Sequence, residues 1–184
     1  MGKFYDVELN HNKYGLPLMK INDTDSIAVF DMLSDCKMAR DAVQATYELI
    51  KKQNYPKIDT VISAETKGIV LAERLSDMLD ADMVILRKTQ KLYHPEVIKG
   101  KVETFTTKGE HYLHLDVKQS PKLENKNVLI VDDVVSTGSS LKAIEDILNQ
   151  VHANIVGKAF VFAEGDSADR KDICYVEKLP IIKD

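Results

Sequence analysis

The stretch Val128-Leu129-Ile130-Val131-Asp132-Asp133-Val134-Val135-Ser136-Thr137-Gly138-Ser139-Ser140 decides the fold. Its four leading apolar residues read as a strand buried on both faces, which needs a continuous hydrophobic run. Two carboxylates follow, then a short Ser/Thr/Gly loop, then Leu141, Ile144, Glu145 and Leu148 at helical spacing. Ligands of open α/β sheets sit just beyond the carboxyl ends of strands, where Asp132 and Asp133 fall. A small-residue loop opening a helix offers backbone N–H groups and hydroxyls to a phosphate, and the helix dipole adds to the attraction. The acidic pair would repel that phosphate, so it suits sugar hydroxyls, a metal ion, or both. The segment therefore reads as a holder for a phosphorylated sugar, with the phosphate on 136–140 and the hydroxyls on 132–133. A Gly-x-x-x-x-Gly-Lys-Ser/Thr loop and a dinucleotide fingerprint are both absent from the sequence.

Working outward, strands alternate with helices, which predicts a mainly parallel central sheet with helices on both faces. A helix is predicted from about 35 to 52, with Ser34 able to cap it and Asn54-Tyr55-Pro56 ending it. Ile58–Ile62 reads as a strand, Ser63–Gly68 as a loop, Ile69–Leu79 as a helix and Met83–Leu86 as the next strand. Arg87–Gly100 is a long, Lys-rich loop, and loops of that length are usually functional or mobile. Lys101–Thr107 and Glu110–Val117, joined through Lys108-Gly109, read as an antiparallel hairpin. Lys118–Lys126 reads as an exposed connection. Asn154–Phe162 is a further strand, with Phe160 and Phe162 as sheet residues. Two short apolar runs follow, Ile173–Val176 and Leu179–Ile182. Residues 1–33 are short extended pieces broken by turn residues and are expected to form a separate cap.

The 184 residues suffice for one domain with a sizeable core, and 44% hydrophobic with 29% charged residues is a globular composition. A net charge of −4 argues against non-specific nucleic-acid binding. Cys36 and Cys174 form no C-x-x-C pair, which points to a reduced, cytoplasmic protein. The start, Met-Gly-Lys-Phe-Tyr-Asp, shows no apolar signal region, and no run is long enough to span a membrane. His111 and His114 have the offset of opposite strand faces, which argues against joint metal ligation.

The 128–140 run resembles, position by position, the PRPP-binding signature of the type I phosphoribosyltransferases, most closely the adenine branch. Two further segments share the resemblance. Ser63-Ala64-Glu65-Thr66-Lys67-Gly68 is similar to the family's pyrophosphate loop, which implies that Glu65, Thr66 and Lys67 bind pyrophosphate. Leu86-Arg87-Lys88-Thr89-Gln90-Lys91-Leu92 is similar to the Arg-Lys-Pro-Gly-Lys-Leu segment of adenine enzymes, which adds Arg87, Lys88 and Lys91 to that set. Thr89-Gln90 replaces Pro-Gly here, and Tyr93-His94-Pro95-Glu96 follows with its acid offset by one position. The base-handling acid then falls on Glu96. His94 reads as a solvated loop residue or as a proton or phosphate contact.

The resemblance implies the type I phosphoribosyltransferase fold in a single domain over 1–184. Residues 1–33 would be a hood that chooses the base, and 87–117 a flap and hairpin. It implies transfer of the 5-phosphoribosyl group from PRPP to a nucleobase with release of pyrophosphate. Mg²⁺ would assist at Asp132 and Asp133, which would also act on the sugar as catalytic residues. Ser136, Thr137, Gly138, Ser139 and Ser140 would hold the 5′-phosphate, and Glu164-Gly165-Asp166 would lie near the ligand. Adenine is the expected base. The alternatives are xanthine, guanine, hypoxanthine, the less favoured orotate, or a non-catalytic PRPP-sensing regulator. A homodimer with small-molecule substrates, and with neither nucleic acid nor membrane as partner, completes the expectation.

Overall fold

The computed structural model describes residues 3–93, 95–103 and 110–183. In chain order the strands are β1 (Phe4–Leu9), β2 (Asn12–Lys20), β3 (Asp25–Ala28), β4 (Thr60–Ala64), β5 (Asp82–Leu86), β6 (Val97–Val102), β7 (His111–Asp116), β8 (Asn127–Val135), β9 (Asn154–Glu164), β10 (Cys174–Leu179) and β11 (Ile182–Lys183). The α-helices are α1 (Cys36–Lys51), α2 (Gly68–Leu79) and α3 (Ser139–Gln150).

Five strands make the central sheet in the order β10-β9-β8-β4-β5, and each neighbouring pair is parallel. The pleat of β8 sends successive side chains to opposite faces. Leu129 and Val131 pack with Ala42 of α1 and with Leu71 and Leu75 of α2. Val128 and Ile130 pack with Ile144 and Leu148 of α3 and with Leu115 of the β6–β7 hairpin. Both faces are covered, and for that reason the run 128–131 has no polar alternation. Phe160 and Phe162 are buried in the neighbouring strand, as the pattern predicts.

A second sheet has the order β1-β2-β3-β11. Asn10 and His11 join β1 to β2 with φ of 49° and 61°, the paired positive φ of a tight two-residue hairpin. Val7, Leu9 and Leu16 bury its inner face. Asp41 of α1 pins it from below, accepting hydrogen bonds from Asn10 Nδ2 at 3.0 Å and Lys37 Nζ at 3.2 Å, and from the Tyr14 hydroxyl. The C-terminal β11 pairs antiparallel with β3, so residues 1–33 complete this sheet only with the other end of the chain.

Several boundaries differ from the expectation for local reasons. Asp35, not Ser34, caps α1, because its carboxylate accepts both Lys37 N–H and Met38 N–H at 2.9 Å, while the Ser34 hydroxyl is turned to Asp31. β4 starts two residues later than predicted and runs on through Ser63 and Ala64, and the polar Asp59 at its entry is bonded to the Asn127 backbone instead. The hairpin begins at Val97, which shortens the Lys-rich loop and places Gly100 inside β6. A Cβ there would lie 2.2 Å from the Ala143 carbonyl oxygen, so glycine lets the hairpin close on α3. The Lys108-Gly109 turn and His94 lie outside the described residues. Val117–Lys122 is a short 3₁₀ helix, and the fully buried Leu123 after it fastens a connection predicted to be exposed.

Candidate active site

The carboxyl ends of β4, β5 and β8 converge on one cleft, with the N-terminal sheet as its far wall. Its volume is about 470 Å³, and Phe30, Glu65, Lys67, Lys88, Asp132, Asp133 and Glu164 are among its lining residues. Asp132 accepts the Asp133 N–H at 2.9 Å, and both residues line the cleft. Burial pushes the Asp132 carboxyl well above the usual carboxylate range, and the negative charge of Asp133 pushes it further. Such a pair favours the arrival of positive charge. Gly68 opens α2 directly against it. A Cβ at Gly68 would lie 2.1 Å from Ser63 Oγ and 2.5 Å from Asp132 Oδ1, so this contact tolerates only glycine.

Beyond Val135 the chain turns through Ser136 and Thr137 to Gly138, whose φ of 77° makes it a left-handed N-cap for α3. Thr137 Oγ1 accepts the Ser139 N–H at 3.4 Å and lies 3.1 Å from Ser139 Oγ. The loop encloses a pocket of about 140 Å³ lined by residues 134–141 with Asp132, Ile144 and Phe160. Hydroxyls and backbone at a helix start make this pocket suited to a phosphate.

The cationic side is built differently. Arg87 Nη1 donates to Glu65 Oε1 at 2.6 Å, and Lys88 N–H donates to Glu65 Oε2 at 2.9 Å. Burial alone would raise the Glu65 carboxyl, but the Arg87 guanidinium and the Lys88 N–H outweigh it and hold the group low. Glu65 therefore holds Arg87 and Lys88 together, and of the three Glu65 and Lys88 line the cleft itself. Strand β7 steadies Arg87 from the other side, since Arg87 and His114 exchange backbone hydrogen bonds of 2.9 and 2.8 Å. Lys67 Nζ donates to the Phe30 carbonyl at 2.7 Å and lies 3.6 Å from Asp133 Oδ2. One ammonium thus joins the wall of the cleft to the acidic pair.

Residues 31–184 match the model of the phosphoribosyl transferase domain family. The chain belongs to the phosphoribosyltransferase family. It is 31% identical over 140 residues to the xanthine phosphoribosyltransferase of Alkaliphilus metalliredigens, covering 73% of this chain and 68% of that one. It is 31% identical over 151 residues to the adenine phosphoribosyltransferase of Crocosphaera subtropica, covering 82% and 83% respectively. Its fold superposes on the crystal structure of adenine phosphoribosyltransferase from Thermoanaerobacter pseudethanolicus with a TM-score of 0.68 at 19% identity, covering 96% of this chain and 95% of that one. The fold is thus the type I phosphoribosyltransferase fold, and the chain is a PRPP-dependent transferase.

Within this phosphoribosyltransferase, the structure gathers Glu65, Thr66, Lys67, Lys88, Asp132, Asp133 and Ser140 around the cleft. Ser136 to Ser140 surround the smaller pocket that adjoins it. Lys91 acts on Glu65 only as a nearby charge. Glu96 is not brought into the cleft: it is exposed just before β6, where its carbonyl accepts the Val117 N–H at 3.2 Å. No group of three or more His, Cys, Asp or Glu side chains able to hold a metal occurs among the described residues. The Asp132–Asp133 pair still suits Mg²⁺, which commonly takes one or two carboxylates and completes its shell with substrate oxygens and water. Among the described residues, no helix is long and apolar enough to cross a membrane.

Phe30 has no signature in the sequence, because its role lies in a backbone carbonyl. Ser63, expected in the loop 63–68, stands inside β4 instead. Among the described residues the buried Ser63 hydroxyl has no hydrogen-bond partner, and it lies beside Asp132, which marks it as part of the site's polar floor.

Proposed function

We propose that this purine phosphoribosyltransferase transfers the 5-phosphoribosyl group of PRPP to adenine, giving AMP and pyrophosphate. The observation that carries the reading is the adjacency of a carboxylate pair, a hydroxyl-rich loop at a helix start and a clamped guanidinium at the carboxyl end of one sheet. In this reading Ser136–Ser140 take the 5′-phosphate, and Asp132 and Asp133 take the ribose hydroxyls. Lys67, Arg87, Lys88 and Lys91 take the pyrophosphate, and residues 1–33 with β11 act as the hood over the base. Bound Mg²⁺ supplies charge neutralisation on the leaving pyrophosphate.

The chain's own residues do the remainder by placement and electrostatics. As the bond from C1 to pyrophosphate breaks, positive charge grows on the sugar, and the paired carboxylates lie where they can stabilise it. The leaving oxygens gain negative charge, and Arg87 is already aimed by Glu65. The hood wall keeps water from the cationic sugar. This scheme uses no covalent nucleophile.

Adenine is favoured by the Phe30 carbonyl. Once Lys67 turns to the pyrophosphate, that oxygen accepts from an exocyclic amino group and repels a 6-oxo group. The apolar side chains of Met19 and Ile27 flank the same cleft and suit a purine face. A second reading keeps Lys67 on the hood, where its ammonium donates to the oxygen of a 6-oxopurine such as xanthine. Incubation with PRPP, Mg²⁺ and each of adenine, guanine, xanthine, hypoxanthine and orotate, followed by nucleotide chromatography, separates the readings. AMP as the main product supports the first, a 6-oxopurine nucleotide supports the second, and no turnover with any base removes both.

A further inference from the structure

A chain of four alternating charges runs from α3 to the loop after β9. Glu145 pairs with Lys158 Nζ at 2.5 Å, Lys158 pairs with Asp172 at 2.7 Å, and Asp172 is gripped by Arg170 through Nε at 3.0 Å and Nη2 at 2.7 Å. Burial opposes the charge on Lys158, but its two carboxylate partners outweigh that, and Arg170 and Lys158 together hold the Asp172 carboxyl far below the usual range. The guanidinium is thus fixed by two parallel hydrogen bonds, the geometry that leaves least freedom to an arginine.

Its remaining nitrogen, Nη1, has no hydrogen-bond partner among the described residues. It faces Gly138, where a Cβ would lie 2.9 Å from it. Gly138 is the turning point of the hydroxyl-rich loop, and Arg170 lines the outer side of that loop with Ser136 and Thr137. Residues 136–140 contain no cationic side chain. A sugar phosphate carries up to two negative charges, so backbone dipoles and neutral hydroxyls leave a deficit of positive charge that a neighbouring guanidinium meets. The carboxylates of Glu164 and Asp166 line the same outer cavity, which disfavours a separate anion there.

We infer that Arg170 is a positioning residue for the 5′-phosphate of the sugar donor, holding the Gly138 turn in its anion-binding shape and supplying the positive charge the loop lacks. The inference rests on the assignment of 136–140 to that phosphate. It assigns Asp172 the role of aiming the guanidinium.

The test measures ribose 5-phosphate binding by calorimetry and the KM for PRPP in the wild type, Arg170→Met, Arg170→Lys and Asp172→Asn, with melting temperatures for each. Arg170→Met should weaken ribose 5-phosphate binding and raise the PRPP KM together by about tenfold, the size expected for losing a hydrogen-bonding charge. Its kcat and its KM for the base should stay within about twofold, a split that a general loss of folding does not produce. Arg170→Lys should recover part of the loss by restoring charge without the fork. Asp172→Asn keeps the cation but loosens its aim, so its defect should be smaller than that of Arg170→Met. If wild-type protein binds ribose 5-phosphate and Arg170→Met binds it equally well, the inference fails while the loop assignment stands. If the wild type does not bind ribose 5-phosphate, the loop assignment falls and takes the inference with it. If Arg170→Met unfolds, Arg170→Lys and Asp172→Asn decide: unchanged affinity in both overturns the role.

Discussion

At one end of the cleft, residues 136–140 present hydroxyls and backbone around a left-handed glycine; at the other, Glu65 holds Arg87 and Lys88 by ion pair and hydrogen bond. The first end depends on backbone shape, so it exists before any ligand arrives. The second depends on ion pairs, and its cations must be shared with or released from Glu65 and Asp133 when an anion enters. Between them, Asp132 and Asp133 belong to neither, because they attract cations. For transfer of a phosphoribosyl group the difference is useful: the 5′-phosphate stays on the protein throughout the reaction, whereas pyrophosphate must leave.

Removing the centre should produce the largest effect. The double variant Asp132→Asn, Asp133→Asn should lower kcat by roughly 10³-fold, the loss typical of removing electrostatic stabilisation at developing charge. Ribose 5-phosphate binding, measured by calorimetry, should weaken far less than turnover, because the loop at 136–140 still takes the phosphate while only the hydroxyl contacts are lost. If turnover is unchanged, the carboxylates are not the reacting centre.

The cationic end should respond next. Glu65→Gln leaves Arg87 without its charged acceptor, so the PRPP KM should rise by about tenfold. Pyrophosphate inhibition should weaken in step, while ribose 5-phosphate affinity should not move. A change at both ends would show that the two anion sites are not independent.

Much of this site was readable before the fold was known, because its centre is local. Asp132, Asp133 and 136–140 lie in one strand–loop–helix passage, and the apolar run before them fixes their place at a sheet edge. The remainder depends on residues distant in sequence. Lys67 meets the Phe30 carbonyl 37 positions away, and a carbonyl has no sequence signature. Arg170 reaches Gly138 through a bend after β9 that no periodicity announces. The apolar run 179–182 overlaps β11 only at Ile182, and the pairing of β11 with β3 was not legible, because two residues carry too little register information. Glu65 was grouped with the cations by its neighbours in the motif, though its charge alone argued for an acceptor of Arg87. Glu96 shows the opposite case, an acid near the expected position that the hairpin's early start carries away from the cleft.

The shape-dependent end gives a smaller effect. Gly138→Ala forces a side chain into φ of 77° and towards Arg170, so stability should fall by about 1 kcal/mol in thermal or urea unfolding. The loss of ribose 5-phosphate affinity should exceed what that instability alone explains, since the turn itself is the binding surface. Glycine at the same place in Glu65→Gln protein serves as the control for the other end.

The smallest effect concerns pH. The Glu65 carboxyl is held below its ordinary value of 4.5 in the folded protein, chiefly by the Arg87 guanidinium acting against burial. Between those two values the unfolded chain binds more protons than the folded one, so stability rises with pH across that window. The contribution is fully present above about pH 4.5 and is lost as pH falls through the depressed folded value. Arg87 is more than a third exposed, so solvent screening keeps the gain below about 1 kcal/mol. Melting temperatures at pH 3 to 7 should therefore fall slightly less steeply in Glu65→Gln than in the wild type. The midpoint of that difference should lie below 4.5. A midpoint above it would mean that burial, and not Arg87, governs this carboxyl, and the cationic end would then not be preset by its ion pair with Glu65.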